Sequence, residues 1–73
     1  QPAKDFITVR GDLLVERQVH VYVYTSTGVL IQDEMVRVED NSFTLVTTAW
    51  ERGVYLTRIK SGNHTLTARM VKY

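Results

Sequence analysis

The sequence of 73 residues contains no cysteine and no apolar run of membrane-spanning length. Without cysteine, a structural disulfide, a thiol nucleophile and a cysteine metal site are excluded. A transmembrane helix needs about 20 consecutive apolar residues, which this chain does not offer. The N-terminal residues also lack the charged and apolar segments of a signal peptide. These observations do not decide whether the protein belongs to an oxidising or a reducing compartment.

An excess of either charge is also missing, because the formal net charge is only +1. A balanced chain gives no indication of a nucleic-acid partner or of direct insertion into a membrane. Its length indicates one domain, residues 1–73. A domain of this size buries about 60% of the surface of its unfolded chain, so its core is thin and leaves little room for an enclosed active site.

Alternation of apolar and polar residues dominates what is present. Val19, Val21 and Val23 share one strand face, and His20 begins the opposite face. The pattern, with turn residues at short intervals, predicts an all-β fold: a small seven-stranded antiparallel immunoglobulin-like β-sandwich. The predicted strands are Phe6–Val9, Leu13–Val15, Val19–Tyr24, Val29–Val38, Ser42–Val46, Val54–Lys60 and His64–Lys72. Gln32-Asp33-Glu34 is a candidate bulge in the long fourth strand.

The predicted core collects the apolar residues that alternation places inward. Its members are Phe6, Val19, Val21, Val23, Leu30, Phe43, Leu45, Trp50, Tyr55 and Ile59, with some of Leu66, Met70 and Val71. Turns are expected at Gly11-Asp12, Thr27-Gly28, Asp40-Asn41, Arg52-Gly53 and Gly62-Asn63, where Gly, Asn and Asp tolerate the required φ values.

Residues that carry reaction chemistry do not assemble into a pattern. The two histidines, His20 and His64, are far apart and lack the further ligands that a metal needs. Asp33-Glu34 and Glu39-Asp40 are adjacent pairs, whose side chains point to opposite faces of a strand. No serine lies in a nucleophile elbow. We therefore predict no catalytic, metal-binding or cofactor-binding residues, and a protein that is not an enzyme.

Two short motifs have simpler structural interpretations. Arg10-Gly11-Asp12 spells an integrin-type adhesion tripeptide, but Gly and Asp are also expected in a turn between the first two strands. Asn63-His64-Thr65 fits an N-glycosylation motif, and the turn at Gly62-Asn63 explains the asparagine equally well.

Aromatic residues offer one alternative function. Tyr22, Tyr24 and His20 share a strand face, which predicts either further core or a cross-strand aromatic ladder. The same residues could instead bind a partner. Together with Trp50, Tyr22 and Tyr24 could form the aromatic platform of an immunoglobulin-like carbohydrate-binding or adhesion module.

Three segments of the chain follow one another in an informative order. Pro2–Val9 begins with a proline and small or polar residues and continues into an apolar strand. Val19–Ile31 reads as strand, glycine turn and strand, and Gly53-Val54-Tyr55 opens a strand that a short turn links to the basic stretch His64–Tyr73. In this order the motifs resemble the type A C-terminal sorting domains of type IX secretion (the Por secretion system family) in Bacteroidetes.

The resemblance implies that this domain is a sorting signal for a larger cargo protein, which precedes the domain in the same chain. The precursor would cross the inner membrane with an ordinary signal peptide, and the folded domain would then engage outer-membrane translocon and shuttle proteins. The protein would pass through the periplasm to the cell surface or the medium. A sortase-like protease typically removes such a domain and attaches the cargo to the surface, although some secretion-machinery components retain theirs.

The resemblance also assigns residues. It places the cargo junction at Gln1 and Pro2 and translocon recognition at Gly53, Tyr55, Gly62, Arg69, Met70, Val71, Lys72 and Tyr73. Arg69 and Lys72 lie three apart and therefore on opposite strand faces. If this strand lies at a sheet edge, its unpaired backbone groups are available to a partner. We expect deletion of Met70–Tyr73 to block export while the remaining domain folds.

Overall fold

The computed structural model describes residues 6–73, which form strands and turns without a helix. The strands are β1 (Phe6–Arg10), β2 (Gln18–Thr25), β3 (Leu30–Arg37), β4 (Ser42–Val46), β5 (Gly53–Ser61) and β6 (His64–Lys72). The all-β prediction is confirmed, and across residues 6–73 no helix is long and apolar enough to span a membrane.

The strands form two antiparallel sheets around one core. β3, β2, β5 and β6 make a four-stranded sheet in that order, and β1 pairs with β4 in a separate two-stranded sheet. Phe43 and Leu45 of β4 are buried in the same apolar cluster as Val21 of β2 and Ile59 of β5. The small sheet therefore covers one face of the large sheet, and the other face of the large sheet, here called the outer face, is left on the surface.

Alternation in β2 explains how the large sheet acquires two different faces. Val19, Val21 and Val23 are fully buried, whereas His20, Tyr22 and Tyr24, which alternate with them, are half-buried on the outer face. Successive side chains of a strand point to opposite sides, so β-branched valines at every second position commit that side to the core. This part of the prediction is confirmed.

Tight turns fix the pairing of neighbouring strands. Gly62 has a φ of 59°, as required at the first central position of a type II′ hairpin turn, and Ser61 pairs directly with His64 across it. Asp40 and Asn41 have φ values of 53° and 59°, the pair of positive values that a type I′ turn needs. All of these residues were expected in turns from their composition.

The predicted second strand, Leu13–Val15, is wrong. Within residues 6–73 there are six strands, and this segment is an irregular connection between β1 and β2. Its backbone carbonyls are satisfied by side chains instead of a strand partner: Asn41 Nδ2 donates to Leu14 O at 3.1 Å and Ser61 Oγ donates to Leu13 O at 3.2 Å. Leu14, only 1% exposed, fills the core from this loop.

Most of the predicted core is confirmed, but Phe6 and Leu30 are not part of it. Phe6 is 60% exposed because it faces outward from the small sheet, where it pairs with exposed Val46. Leu30 is 47% exposed because it pairs with Tyr24 on the outer face. A register shift at Val23/Tyr24 sets this orientation, and it lies nearer the start of β3 than the bulge predicted at residues 32–34. Met70 is buried, and Leu66 and Val71 are half-buried.

Candidate recognition surface

The final hairpin, β5–β6, is the longest regular element of the chain. Each strand has nine residues, and the register runs without interruption from Ser61 opposite His64 to Gly53 opposite Lys72. β5 is also paired with β2, whereas β6 has β5 as its sole strand partner among residues 6–73. The structure therefore places β6 at an edge of the large sheet.

Three of the predicted recognition residues are buried in the core. The Tyr55 hydroxyl donates to the Glu51 carbonyl at 2.5 Å, and its ring packs against Trp50 with centroids 4.7 Å apart. Met70 accepts a hydrogen bond at its sulfur from Thr57, and both residues are buried. These side chains determine whether the hairpin folds, and a partner cannot touch them while it is folded.

Lys72 is the third buried member and the least expected. Its Nζ donates to the Thr47 carbonyl at 2.7 Å and lies 3.4 Å from the Thr47 hydroxyl. A buried ammonium is costly unless hydrogen bonds replace its water, and these contacts supply part of that replacement. They also link the end of β6 to the segment that follows β4.

The other predicted recognition residues lie on the surface. Gly53, Gly62, Arg69 and Tyr73 are exposed, and Val71 is half-buried. Arg69 points outward and Lys72 inward, so their predicted separation onto opposite faces is confirmed. Gln1 and Pro2, predicted at the cargo junction, lie outside the described residues, as does the start of the N-terminal motif.

Burial of Met70 and Lys72 revises the expected effect of deleting Met70–Tyr73. That deletion removes two buried side chains and the hydrogen bonds of Lys72 to Thr47. Loss of one large core side chain alone costs about 2–5 kcal/mol, which is a large share of the stability of a small domain. The shortened domain is therefore not expected to fold, and the deletion does not separate recognition from folding.

Two aromatic side chains of β2 stack on each other on the outer face. The His20 and Tyr22 rings are stacked with centroids 4.2 Å apart and an interplanar angle of 7°, and His20 Nε2 contacts a carboxylate oxygen of Asp33 on β3. Lys60 Nζ lies 6.0 Å from the centre of the Tyr22 ring. The two half-buried rings belong to the same strand, so they form a stacked pair along β2 and not the cross-strand ladder that the sequence suggested.

Trp50 lies apart from that pair, so it does not contribute to the exposed aromatic platform that the alternative carbohydrate-binding function would need. It is 8% exposed, it packs on buried Tyr55, and its Nε1 donates to Gln32 Oε1 at 2.9 Å. The platform required Trp50 to be exposed beside Tyr22 and Tyr24. Burial against Tyr55 assigns the tryptophan to the core instead.

The short motifs lie in turns. Gly11 N donates to Asn41 O at 2.9 Å and Gly11 O accepts from Leu14 N at 3.1 Å, so the Arg-Gly-Asp segment begins the turn after β1. His64 and Asn63 are exposed at the β5–β6 turn, two strands away from His20. Over residues 6–73 no group of three or more His, Asp or Glu side chains is arranged to hold a metal ion.

Sequence reasoning missed the distribution of charge along the chain. Residues 52–73 contain five of the nine Lys and Arg residues and none of the eight Asp and Glu residues. Three of these cations, Arg58, Lys60 and Arg69, are exposed on the outer face of β5 and β6, and we call them the cationic row. A comparison of the two ends of the chain, instead of the total charge, would have revealed it.

The chain is a small antiparallel β domain with an edge hairpin and a cationic face. The family model for the secretion system C-terminal sorting domain matches residues 1–73. The chain belongs to this family, the C-terminal sorting domains of type IX secretion. A search of curated proteins and a search of solved structures each gave no match.

Membership of this family indicates the general role of the chain. A domain of this family is a type IX secretion signal, which implies interaction with the secretion machinery and export across the outer membrane to the cell surface or beyond. The predicted family is thus confirmed by the match over the whole chain.

Proposed function

We propose that this domain directs a larger cargo protein, located on its N-terminal side, through the type IX outer-membrane translocon. The main support for this proposal is the match of the sorting-domain family model to residues 1–73. Outer-membrane translocon and shuttle proteins are the proposed partners. In this proposal, the cargo crosses the outer membrane because this domain is attached to it.

The signal is proposed to be read as a folded surface and not as a linear peptide. Tyr55, Met70 and Lys72 are buried, so they contribute through the shape and stability of the hairpin. Arg69 and the exposed Tyr73 remain for direct contact. A folded signal of this kind requires the whole domain, because the hairpin obtains its buried side from β2 and β4.

Two fates of the domain are compatible with this role. In the first, a sortase-like protease cuts near Gln1 and Pro2, and the cargo is attached to the cell surface. In the second, the domain is retained, as in machinery components that carry their own sorting domain. The intact mass of the mature parent protein distinguishes the two, because cleavage removes the 8.4 kDa of this domain.

The domain is proposed to act by binding alone, without enzymatic activity or a cofactor. Its chemistry-bearing side chains are dispersed: His20 contacts Asp33 on the outer face, and His64 lies at the far hairpin turn. We also propose an immunoglobulin-like relationship for the fold, which the two antiparallel sheets and their shared core support.

Fusion of residues 1–73 to the C-terminus of a periplasmic reporter tests the proposal in a type IX-competent host. Reporter is expected outside the cell with the domain and inside without it. A Val21→Asp fusion is the matched control, because it buries a charge at a fully buried position and should unfold the signal. If the wild-type fusion stays in the periplasm, the proposal is wrong. Glycan-array binding with normal secretion of a domain-deleted parent would instead favour a carbohydrate-binding module.

A further inference from the structure

Backbone groups of β6 point in two directions, and the register determines which residues point outward. In a two-residue hairpin, the residues that flank the turn form a hydrogen-bonded pair, here Ser61 and His64. Bonded and non-bonded pairs then alternate, so Leu66, Ala68 and Met70 bond to β5. The N–H and C=O groups of Thr65, Thr67, Arg69 and Val71 are consequently directed away from β5, toward the free edge.

This edge lacks the features that usually protect an edge strand. Such strands are blunted by bulges, proline, short length or several charged side chains. β6 is nine residues long, regular and without proline, and Thr65 and Thr67 occupy the first two outward positions. A long, regular edge of this type is a template for an added strand.

The opposite edge of the same sheet is protected. β3 faces a register shift at Val23/Tyr24. Val38 N donates to Arg17 O at 2.8 Å, which fixes the alternation on β3 and directs the backbone of Asp33, Met35 and Arg37 outward. Charged side chains at two of these three positions discourage strand addition there. The difference between the edges singles out β6.

The charge beside the β6 edge indicates the chemistry of the added strand. The hairpin carries Arg58, Lys60 and Arg69 on its outer face and no carboxylate in either strand. Within residues 6–73, no carboxylate lies within ion-pair distance of any of these three cations. Arg69 is a diagonal neighbour of Arg58 in the register, which concentrates positive charge next to the free edge.

We propose that β6 accepts an extended acidic segment of the secretion machinery as a further strand of the large sheet. Backbone hydrogen bonds to Thr65, Thr67, Arg69 and Val71 hold the segment. Acidic side chains at alternate positions of the segment lie on the outer face beside the cationic row. This inference rests on the proposed function, since it names the surface through which the signal is read.

A second copy of this chain is a poorer occupant of the same edge. Two β6 strands related by two-fold symmetry would bring their outer faces into one continuous surface. The hairpins would then add Arg58, Lys60 and Arg69 of each copy to that surface without a carboxylate between them. Like charges opposite one another destabilise strand pairing, whereas an acidic segment neutralises them.

Proline at an outward N–H tests the inference in the reporter fusion of the full chain. Thr67→Pro removes a backbone donor that β5 does not use, and edge strands tolerate proline where the N–H faces solvent. We expect the purified domain to keep its fold by circular dichroism and the exported reporter to fall at least about tenfold. Thr67→Ala controls for the side chain, and Met35→Pro places the same change on the β3 edge; both should export within about twofold of wild type.

Charge reversal tests the acidic nature of the segment. Arg69→Glu is expected to reduce export at least about tenfold, and Arg37→Glu, an exposed arginine at the β3 edge, should leave it within about twofold. Normal export of Arg69→Glu would overturn the acidic assignment.

The outcomes separate this inference from the proposed function. If the wild-type fusion is not exported, the proposed function itself fails. If wild type and a folded Thr67→Pro are exported equally, strand addition at β6 is wrong. Should Thr67→Pro not fold, Thr65→Pro decides in the same way, since its N–H also faces the edge. A dimeric mass for the purified domain that Thr67→Pro makes monomeric would assign the edge to a second copy and overturn the proposal.

Discussion

Replacing Leu14 with alanine tests the role of the loop that stands where a strand was predicted. Leu14 is 1% exposed and packs into the core from an irregular segment, whereas its neighbour Leu13 is 45% exposed. The two residues are chemically identical and adjacent, so they form a matched pair. If the loop fills the core, the two substitutions must differ strongly in their effect on the free energy of unfolding.

The magnitude follows from burial. Truncating a buried leucine to alanine costs about 2–5 kcal/mol, and we expect about 3 kcal/mol because a loop can partly close the cavity. A domain of this length has a total stability of about 4–11 kcal/mol, so the change removes a large fraction of it. With about 4–8 °C of melting temperature per kcal/mol, Leu14→Ala should lower the melting temperature by about 12–24 °C. Leu13→Ala should cost about 0.5 kcal/mol.

Thermal and urea unfolding of the full chain, followed by circular dichroism, measure both values. Similar urea m-values for wild type and variants would show that the same surface is exposed in each transition. If Leu13→Ala costs as much as Leu14→Ala, the loop does not fill the core. A greater loss for Leu13→Ala would restore the predicted strand with Leu13 facing inward.

Three further predictions each concern a single residue. Tyr55→Phe removes the hydroxyl bond to the Glu51 carbonyl and should cost about 1 kcal/mol in urea unfolding; an unchanged midpoint would contradict that bond. Gly62→Ala places a side chain at a φ of 59° and should cost about 1–2 kcal/mol. Gly11→Ala, whose added Cβ has no neighbour closer than 4.0 Å, should be nearly neutral, and equal losses would exclude backbone strain as the cause. Trp50, the single tryptophan and buried, should show a red shift of its fluorescence on unfolding, and an emission already typical of water in the folded protein would contradict its burial.

Alternation and turn chemistry made much of the fold predictable. Val19, Val21 and Val23 leave one orientation for β2, and Gly62-Asn63 leaves one register for the final hairpin. Local signals of this kind depend on neighbours in sequence. Leu14 lacks such a signal, because its loop is held by hydrogen bonds from residues distant in the chain: Asn41 donates to the Leu14 carbonyl and Ser61 to the Leu13 carbonyl.

Orientation at the strand ends was harder to predict for the same reason. Phe6 is large and apolar, but Ile7 and Val9 of β1 pack against the core. Phe6 lies on the opposite face of the strand and is therefore exposed. The register shift opposite the start of β3 turns Leu30 to the outer face, and no local residue type announces it. Size and hydrophobicity indicate that a residue can be buried, whereas the face of the strand on which it lies decides whether it is buried.

Burial within the candidate recognition surface was not predictable from the sequence. Family resemblance pointed to the final hairpin, in which burial then separated Tyr55, Met70 and Lys72 from exposed Arg69. Lys72 illustrates the difficulty, since a basic residue near the end of a strand suggests a solvent contact. Only the position of Thr47 in the fold shows that the ammonium is directed inward.

The buried position of Met70 and Lys72 also has a consequence during biosynthesis. These residues leave the ribosome after all the other strands, yet the core is incomplete without them. A polypeptide interrupted anywhere before residue 70 would therefore lack a well-folded sorting domain. Coupling the export signal to the last-made part of the core would keep prematurely terminated proteins from leaving the cell.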